Sequence, residues 1–150
     1  MIRHLPTLKN PPVLRGWGLW VPLPHSNGKP KWINLNERAH WGSRSGKTAI
    51  WREAARVVAE EAQIPTLGQA WVQAVFHFGD SRRRDVHNYL PTVKACVDGF
   101  TDAEIWEDDR DGILTGPDLR RSPTDGVRNE FGKGIAFYVW EVADGYSGIS

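Results

Sequence analysis

The chain of 150 residues predicts a single α+β domain: a mixed β-sheet with two main helices packed on it. Three observations carry this. Gln69 to Phe78 alternates as a strand does. Two later-interrupted stretches, about Ser45 to Gln63 and Asn88 to Gly99, repeat with helical period. A second apolar run, Ile135 to Val142, returns near the end. The resulting order β-α-β-α-β-β suits one sheet covered by helices. The length is that of one domain with a sizeable core, and 40% hydrophobic with 25% charged residues is ordinary for a globular protein.

Taken in order, residues Met1 to Pro12 read as a loose arm, because Pro6, Pro11 and Pro12 oppose regular structure. Val13 to Leu23 is rich in Trp, Val and Leu and reads as a first strand. Pro22, Pro24 and Ser26-Asn27-Gly28 end it in a turn. Lys31 to Trp41 is irregular. In the first helix Ile50, Ala54, Val57 and Val58 make an apolar stripe that Trp51, Ala55 and Ala62 widen. Pro65 and Gly68 stop the pattern. In Gln69 to Phe78, Val72, Ala74, Phe76 and Phe78 share one face and Trp71, Gln73, Val75 and His77 the other. Apolar residues on both faces predict a central strand.

The second helix has Asn88 as its N-cap and Pro91 in its first turn. Tyr89, Leu90, Val93 and Val97 form its buried face, Lys94 and Asp98 share the opposite side, and Gly99 closes it. Ile105 and Trp106 are expected to pin the acidic segment to the core. Ile113 and Leu114 start a strand, and Gly116 to Gly126 reads as a long loop rich in Gly, Pro and Ser. The tail from 144 to 150 is expected to fray.

The net charge of +1 announces no polyanion partner by itself. The patterning says more. Arg82, Arg83 and Arg84 form one basic run, Arg120 and Arg121 another, and six acids lie between Asp102 and Asp111. Concentrated carboxylates repel one another unless a cation or basic group neutralises them. One cysteine, Cys96, excludes an internal disulfide and fits a reducing cytoplasm. No apolar run approaches a membrane span, and the N-terminus carries no secretory h-region.

Gly42 to Thr48, GSRSGKT, invites comparison with a nucleotide-binding phosphate loop. The motif needs a glycine where Trp41 stands, and no buried apolar strand precedes it. A helix start carrying Arg44 and Lys47 towards solvent or towards DNA phosphates accounts for it better. The five histidines match no zinc spacing. His25 and His40 read as loop residues and His77 as a residue of the sheet.

Asp85, His87, Asp108 and Asp109 stand apart. Asp85 and His87 are two apart in an extended segment and so point the same way. Asp108-Asp109 follows the second helix and is expected to return to the same sheet edge. Such ligands suit Mg²⁺, and the His87 nitrogen favours Mn²⁺ more than carboxylates alone do. Salt bridges between these acids and the neighbouring arginines are the alternative reading.

These residues resemble the RusA-type Holliday junction resolvases, a crossover junction endodeoxyribonuclease family, in a phage- or prophage-like form. The matching elements are Arg83-Arg84-Asp85-Val86-His87-Asn88, then Lys94, Asp98 and Trp106-Glu107-Asp108-Asp109. The spacing from Lys94 through Asp98 to Asp109 is that of the family. His87 stands where the family usually has a second aspartate, and three extra residues separate Asn88 from Lys94. The resemblance covers about Leu23 to Arg121.

It implies a RusA-like fold and a homodimeric, Mg²⁺-dependent endonuclease of a bacterial cytoplasm. Such an enzyme resolves four-way junctions by paired nicks in DNA recombination and repair, without a nucleotide cofactor. Asp85, His87, Lys94 and Asp109 would be catalytic. Asp85, His87, Asp108 and Asp109 would hold the metal, and Arg83, Arg84, Arg44 and Lys47 would contact DNA. A flap or fork endonuclease and a non-catalytic junction-binding relative are the alternatives.

Overall fold

The computed structural model describes residues 12–26, 28–37, 41–125 and 132–143. Most of the N-terminal arm, Asn27, His40, Gly126 and the tail from 144 lie outside the described residues. The sheet grows from the alternating segments. β1 (Val13–Pro22), β4 (Ala70–His77), β5 (Leu114–Arg121) and β6 (Gly134–Val142) form one four-stranded sheet in the order β1-β6-β4-β5. β6 runs antiparallel to both β1 and β4, whereas β5 runs parallel to β4. The sheet is therefore mixed, and β4 is interior, as its two apolar faces predict. A two-residue pair, β2 (His25–Ser26) with β3 (Lys29–Pro30), makes the small turn after β1.

Two helices cover one face. α1 spans Trp41–Ala62 and α2 spans Leu90–Asp102, and α2 is entered through a 3₁₀ turn at Val86–Tyr89. Ala70, Val72, Ala74 and Phe76 of β4 point at the helices and are buried, as are Ile135, Phe137 and Val139 of β6. Phe100 of α2 stands edge-on to Phe137 at 4.9 Å. Trp51 of α1 stacks on Trp32 at 5.5 Å and donates its Nε1–H to the Lys31 carbonyl. A parallel pair such as β4 and β5 needs a crossover, and α2 supplies it.

Six expectations need correction. α1 begins at Trp41, four residues before Ser45. Trp51 and Ala55 are buried as expected and Ala59 joins them, but Ile50 and Val57 of the expected stripe are exposed. The cause is the crossing with α2. A Cβ on Gly99 would lie 2.2 Å from the Arg52 carbonyl oxygen and 3.0 Å from Ala55 Cβ. Backbones that close admit only small residues, so the contact face follows residue size rather than hydrophobicity. Gly99 accordingly does not end α2, which continues to Asp102.

Asn88 is not the N-cap. Asp85 caps the 3₁₀ turn by accepting the His87 amide, and α2 follows with Pro91 in its first turn. Leu90 faces solvent rather than the core. Lastly, the supposed loop after Leu114 is the strand β5. Its register slips opposite Trp71 and Gln73, where Pro117 stands. A proline donates no N–H, yet an irregular position on an edge strand tolerates it.

Gly99→Ala tests the helix crossing. The added methyl forces α1 and α2 apart, and we expect a loss of about 1–3 kcal/mol. Urea unfolding should show a lower midpoint with an unchanged slope. An unchanged midpoint would show that the crossing is looser than the structure describes.

Candidate metal and phosphate site

β4 ends at His77, and the chain then crosses the end of the sheet through residues 78–85. Two guanidinium groups hold it there. Arg84 bonds Asp80 Oδ2 at 2.8 Å and the Tyr89 hydroxyl at 3.0 Å. Its carbon lies 4.5 Å from the centre of the Phe78 ring. Arg121, at the end of β5, donates to the Asp80 and Arg82 carbonyls and to Asp125 Oδ2. It lies over the same ring at 5.4 Å. Asp125 also accepts the amides of Phe78 and Gly79. The hydrogen bond from Arg84 holds the Asp80 carboxyl below its ordinary value. The same bond raises Arg84. Burial lowers the His77 imidazole, so it stays neutral near pH 7.

This arrangement decides which arginines are free. The Arg84 side chain is 18% exposed and fully engaged in the fold. Arg82 and Arg83 project outward, and with Asn34, Arg84, Asp85 and Asn88 they border an open pocket of about 260 Å³. Arg82 belongs to the basic run but was not among the residues expected to contact DNA; the triple arginine was its only signal. Asn34 had none, because its place at the pocket depends on the Leu35 amide bonding the Asn88 carbonyl.

Lys47 is also engaged. It pairs with Glu37 and bonds the Trp32 carbonyl, and its side chain is 13% exposed. It therefore points into the 31–37 segment rather than towards a phosphate. Arg44, in the first turn of α1, is half-buried. The whole stretch from Gly42 to Thr48 is helical, so it forms no loop that could wrap phosphates.

Asp85 and His87 do come together, though not as an extended pair. After Asp85 (φ −98°, ψ 112°) the chain turns into the 3₁₀ helix. One carboxylate oxygen of Asp85 accepts the His87 amide at 3.0 Å and lies 3.2 Å from His87 Nδ1. The side chain is 63% exposed, so its second oxygen faces solvent.

Asp108 and Asp109 lie on the return path from α2. Ile105 and Trp106 are buried as expected. The Leu67 amide bonds the Ile105 carbonyl, and Trp106 Nε1 donates to Thr101 Oγ1 at 2.8 Å. The Asp109 amide bonds Asp108 Oδ1 at 2.8 Å. Across this gap Lys94 Nζ comes within 3.9 Å of Asp109 Oδ2. Two residues fifteen apart in sequence thus meet, with Lys94 one turn into α2.

The two acidic pairs are anchored differently. Asp85 follows the C-terminal end of β4. The segment holding Asp109 is tied to the N-terminal end, through Leu67 to Ile105 and Ala70 to Ile113. Among the described residues no three His, Cys, Asp or Glu side chains stand together as a metal cluster. The donor types, carboxylate oxygens with one imidazole nitrogen, fit a hard divalent cation.

No protein-family model matches the chain, and no curated protein matches it. Among the described residues no helix is long and apolar enough to cross a membrane.

The Asp80–Arg84 bond fixes a pH dependence. The folded pKa of Asp80 is depressed, so its stabilising effect is complete above the unfolded pKa and disappears as pH falls through the folded one. Acidification below about pH 4 should therefore lower the melting temperature of the native protein more steeply than that of Asp80→Asn. Parallel melting curves for the two proteins across that range would count against the bond's role.

Proposed function

We propose that this chain is a metal-dependent endonuclease that cuts branched DNA, with the four-way junction as its substrate and paired nicks as its product. The observation that carries the reading is the approach of Lys94 to Asp109 at 3.9 Å. It joins two separated parts of the Asp85, Lys94, Asp98, Asp109 pattern that resembles the RusA-type resolvases. The pocket bordered by Arg82, Arg83 and Asp85 supports it further, since it pairs outward cations with a carboxylate that has an oxygen to offer.

In this reading Asp85, Asp108 and Asp109 carry the oxygen donors for Mg²⁺ and His87 adds a nitrogen that admits Mn²⁺. A bound divalent cation supplies a water of lowered pKa and polarises the phosphoryl oxygen. The Lys94 ammonium is exposed enough to reach a phosphate, where it offsets charge that grows in the transition state. Arg82 and Arg83 hold neighbouring phosphates, which makes binding fall with salt. Arg84 acts behind them, by fixing the backbone from which they project.

A second reading is a junction-binding protein that does not cut. His87, standing where the resembled family has an acid, favours it over a flap- or fork-specific nuclease.

Asp109→Asn should lower cleavage of a labelled four-way junction by at least about 10²-fold, the usual cost of removing a group that acts in the transition state. Junction binding by gel shift should persist. Cleavage at the native rate would remove Asp109 from the mechanism, and no cleavage by the native protein in Mg²⁺ or Mn²⁺ would establish the binding-only reading. His87→Asp adds a negative oxygen donor, so its Mg²⁺ titration should move to lower concentration than the native curve. Superimposable Mg²⁺ and Mn²⁺ curves for the two proteins would show that His87 is no ligand.

A further inference from the structure

Residues 31–37 form neither helix nor strand, yet they are firmly held. Thr92 of α2 bonds Ile33 twice, donating to its carbonyl at 2.9 Å and accepting its amide at 3.0 Å. The Leu35 amide bonds the Asn88 carbonyl, and the Glu37 amide bonds the Asn34 carbonyl. Trp32 is fixed by the rings of Trp51, at 5.5 Å, and Phe78, at 5.0 Å. The segment thus walls a second open pocket, of about 350 Å³, which Trp32, Asn34, Asn36, Glu37, Lys47 and Tyr89 border.

Asn34 and Tyr89 also border the pocket of Arg82, Arg83 and Asp85, so the two pockets adjoin. Their chemistry differs. The first offers outward guanidinium groups. The second offers a fixed indole wall and a carboxylate. Glu37 Oε1 is taken by Lys47 Nζ at 2.5 Å. Glu37 Oε2 is shut off from solvent and accepts no hydrogen bond from any described residue. A buried acceptor left in that state is costly, the more so when it carries charge.

We propose that the adjoining pockets hold one unpaired nucleotide of a DNA strand, with its phosphate at Arg82 and Arg83, its base against Trp32, and an exocyclic amino group of that base donating to Glu37. The order of groups along the two pockets is cation, aromatic wall, acceptor. A nucleotide has the complementary order: phosphate, then a ring, then donors on the ring's edge. Bases rest on aromatic side chains whatever their identity. The edge is where they differ. A carboxylate accepts and never donates. Adenine, cytosine and guanine each present an amino group to such an acceptor, whereas thymine presents carbonyl oxygens that a carboxylate repels. The Glu37 side chain as a whole is 32% exposed, so a small turn of its carboxylate meets a donor that enters the pocket. A base that is already unpaired enters at the least cost, because no pairing or stacking has to be given up.

The inference rests on the proposed role of Arg82 and Arg83 as phosphate contacts and deepens it, by giving that site a preference among bases. Glu37 selects the base in this scheme and takes no part in cutting.

Oligonucleotide binding without added metal tests it apart from any cleavage. The probes are a short oligothymidylate and the same strand with its central base replaced by adenine or by cytosine. The native chain should bind both replaced strands at least about tenfold tighter than oligothymidylate. A gain shared by a purine and a pyrimidine reports the amino group rather than ring size. Glu37→Gln, which keeps the shape and removes the charge, should cut that ratio to about threefold or less, and Glu37→Ala should erase it, while both bind oligothymidylate no more weakly than the native chain. A central 2-aminopurine should lose fluorescence on binding the native chain as its ring meets Trp32, a measurement that needs no variant. Equal native affinity for all three strands, an unchanged 2-aminopurine signal, or an undiminished ratio in both folded variants would overturn the proposal. So would deoxyadenosine monophosphate that competes as well as the adenine strand, because the pocket would then serve a free nucleotide. Junction cleavage separates this inference from the nuclease reading. A base preference with no cleavage in any metal removes the nuclease and leaves this site, whereas cleavage with no base preference removes this site alone.

Discussion

Two arginines on one phenylalanine ring hold this molecule's working end in place. Arg84 and Arg121 both lie over Phe78, and both bond Asp80, one through its carboxylate and the other through its carbonyl. Guanidinium is the group suited to this task, because its planar fork donates in several directions while its face rests on an aromatic ring. The segment between β4 and the 3₁₀ turn has few other ties. Without the two cations, the backbone that aims Arg82, Arg83 and Asp85 would have little to fix it.

The same economy appears in the other half of the site. The acidic segment from Asp102 to Asp111 carries too much like charge to collapse on its own. It is anchored by Ile105 and Trp106, and one acid at its start, Asp102, is bonded by Arg52 of α1. That pairing holds the start of the segment, and further along Asp109 stands 3.9 Å from Lys94. Charged residues here divide into those paired within the fold and those exposed to solvent, and the two kinds alternate closely along the sequence.

Much of the fold is legible from side-chain period. β4 and β6 alternate cleanly because one face must be buried under helices, and the strand ends fell within a residue of expectation. β5 was hidden by Gly116 and Pro117, which look like loop residues and instead sit where the ladder slips. In α1, Trp51 and Ala55 lie buried as read, but Ile50 and Val57 were preferred to Ala59 because they are more hydrophobic. Hydropathy cannot report how near another backbone passes, and here Gly99 sets that distance.

The candidate site divides along the same line. By itself the sequence determined which residues are candidates: the basic run, Asp85 with His87, the lone Lys94 and the acids after Trp106. Their types and spacing needed no coordinates. Only the tertiary structure decided which of them the fold engages. It drew Lys94 to Asp109 and turned Arg84 and Lys47 inward onto Asp80 and Glu37. The reason is that a charge has the same identity in any sequence, while whether it is free or engaged depends on which opposite charge, ring or carbonyl the folded chain brings within about 4 Å of it.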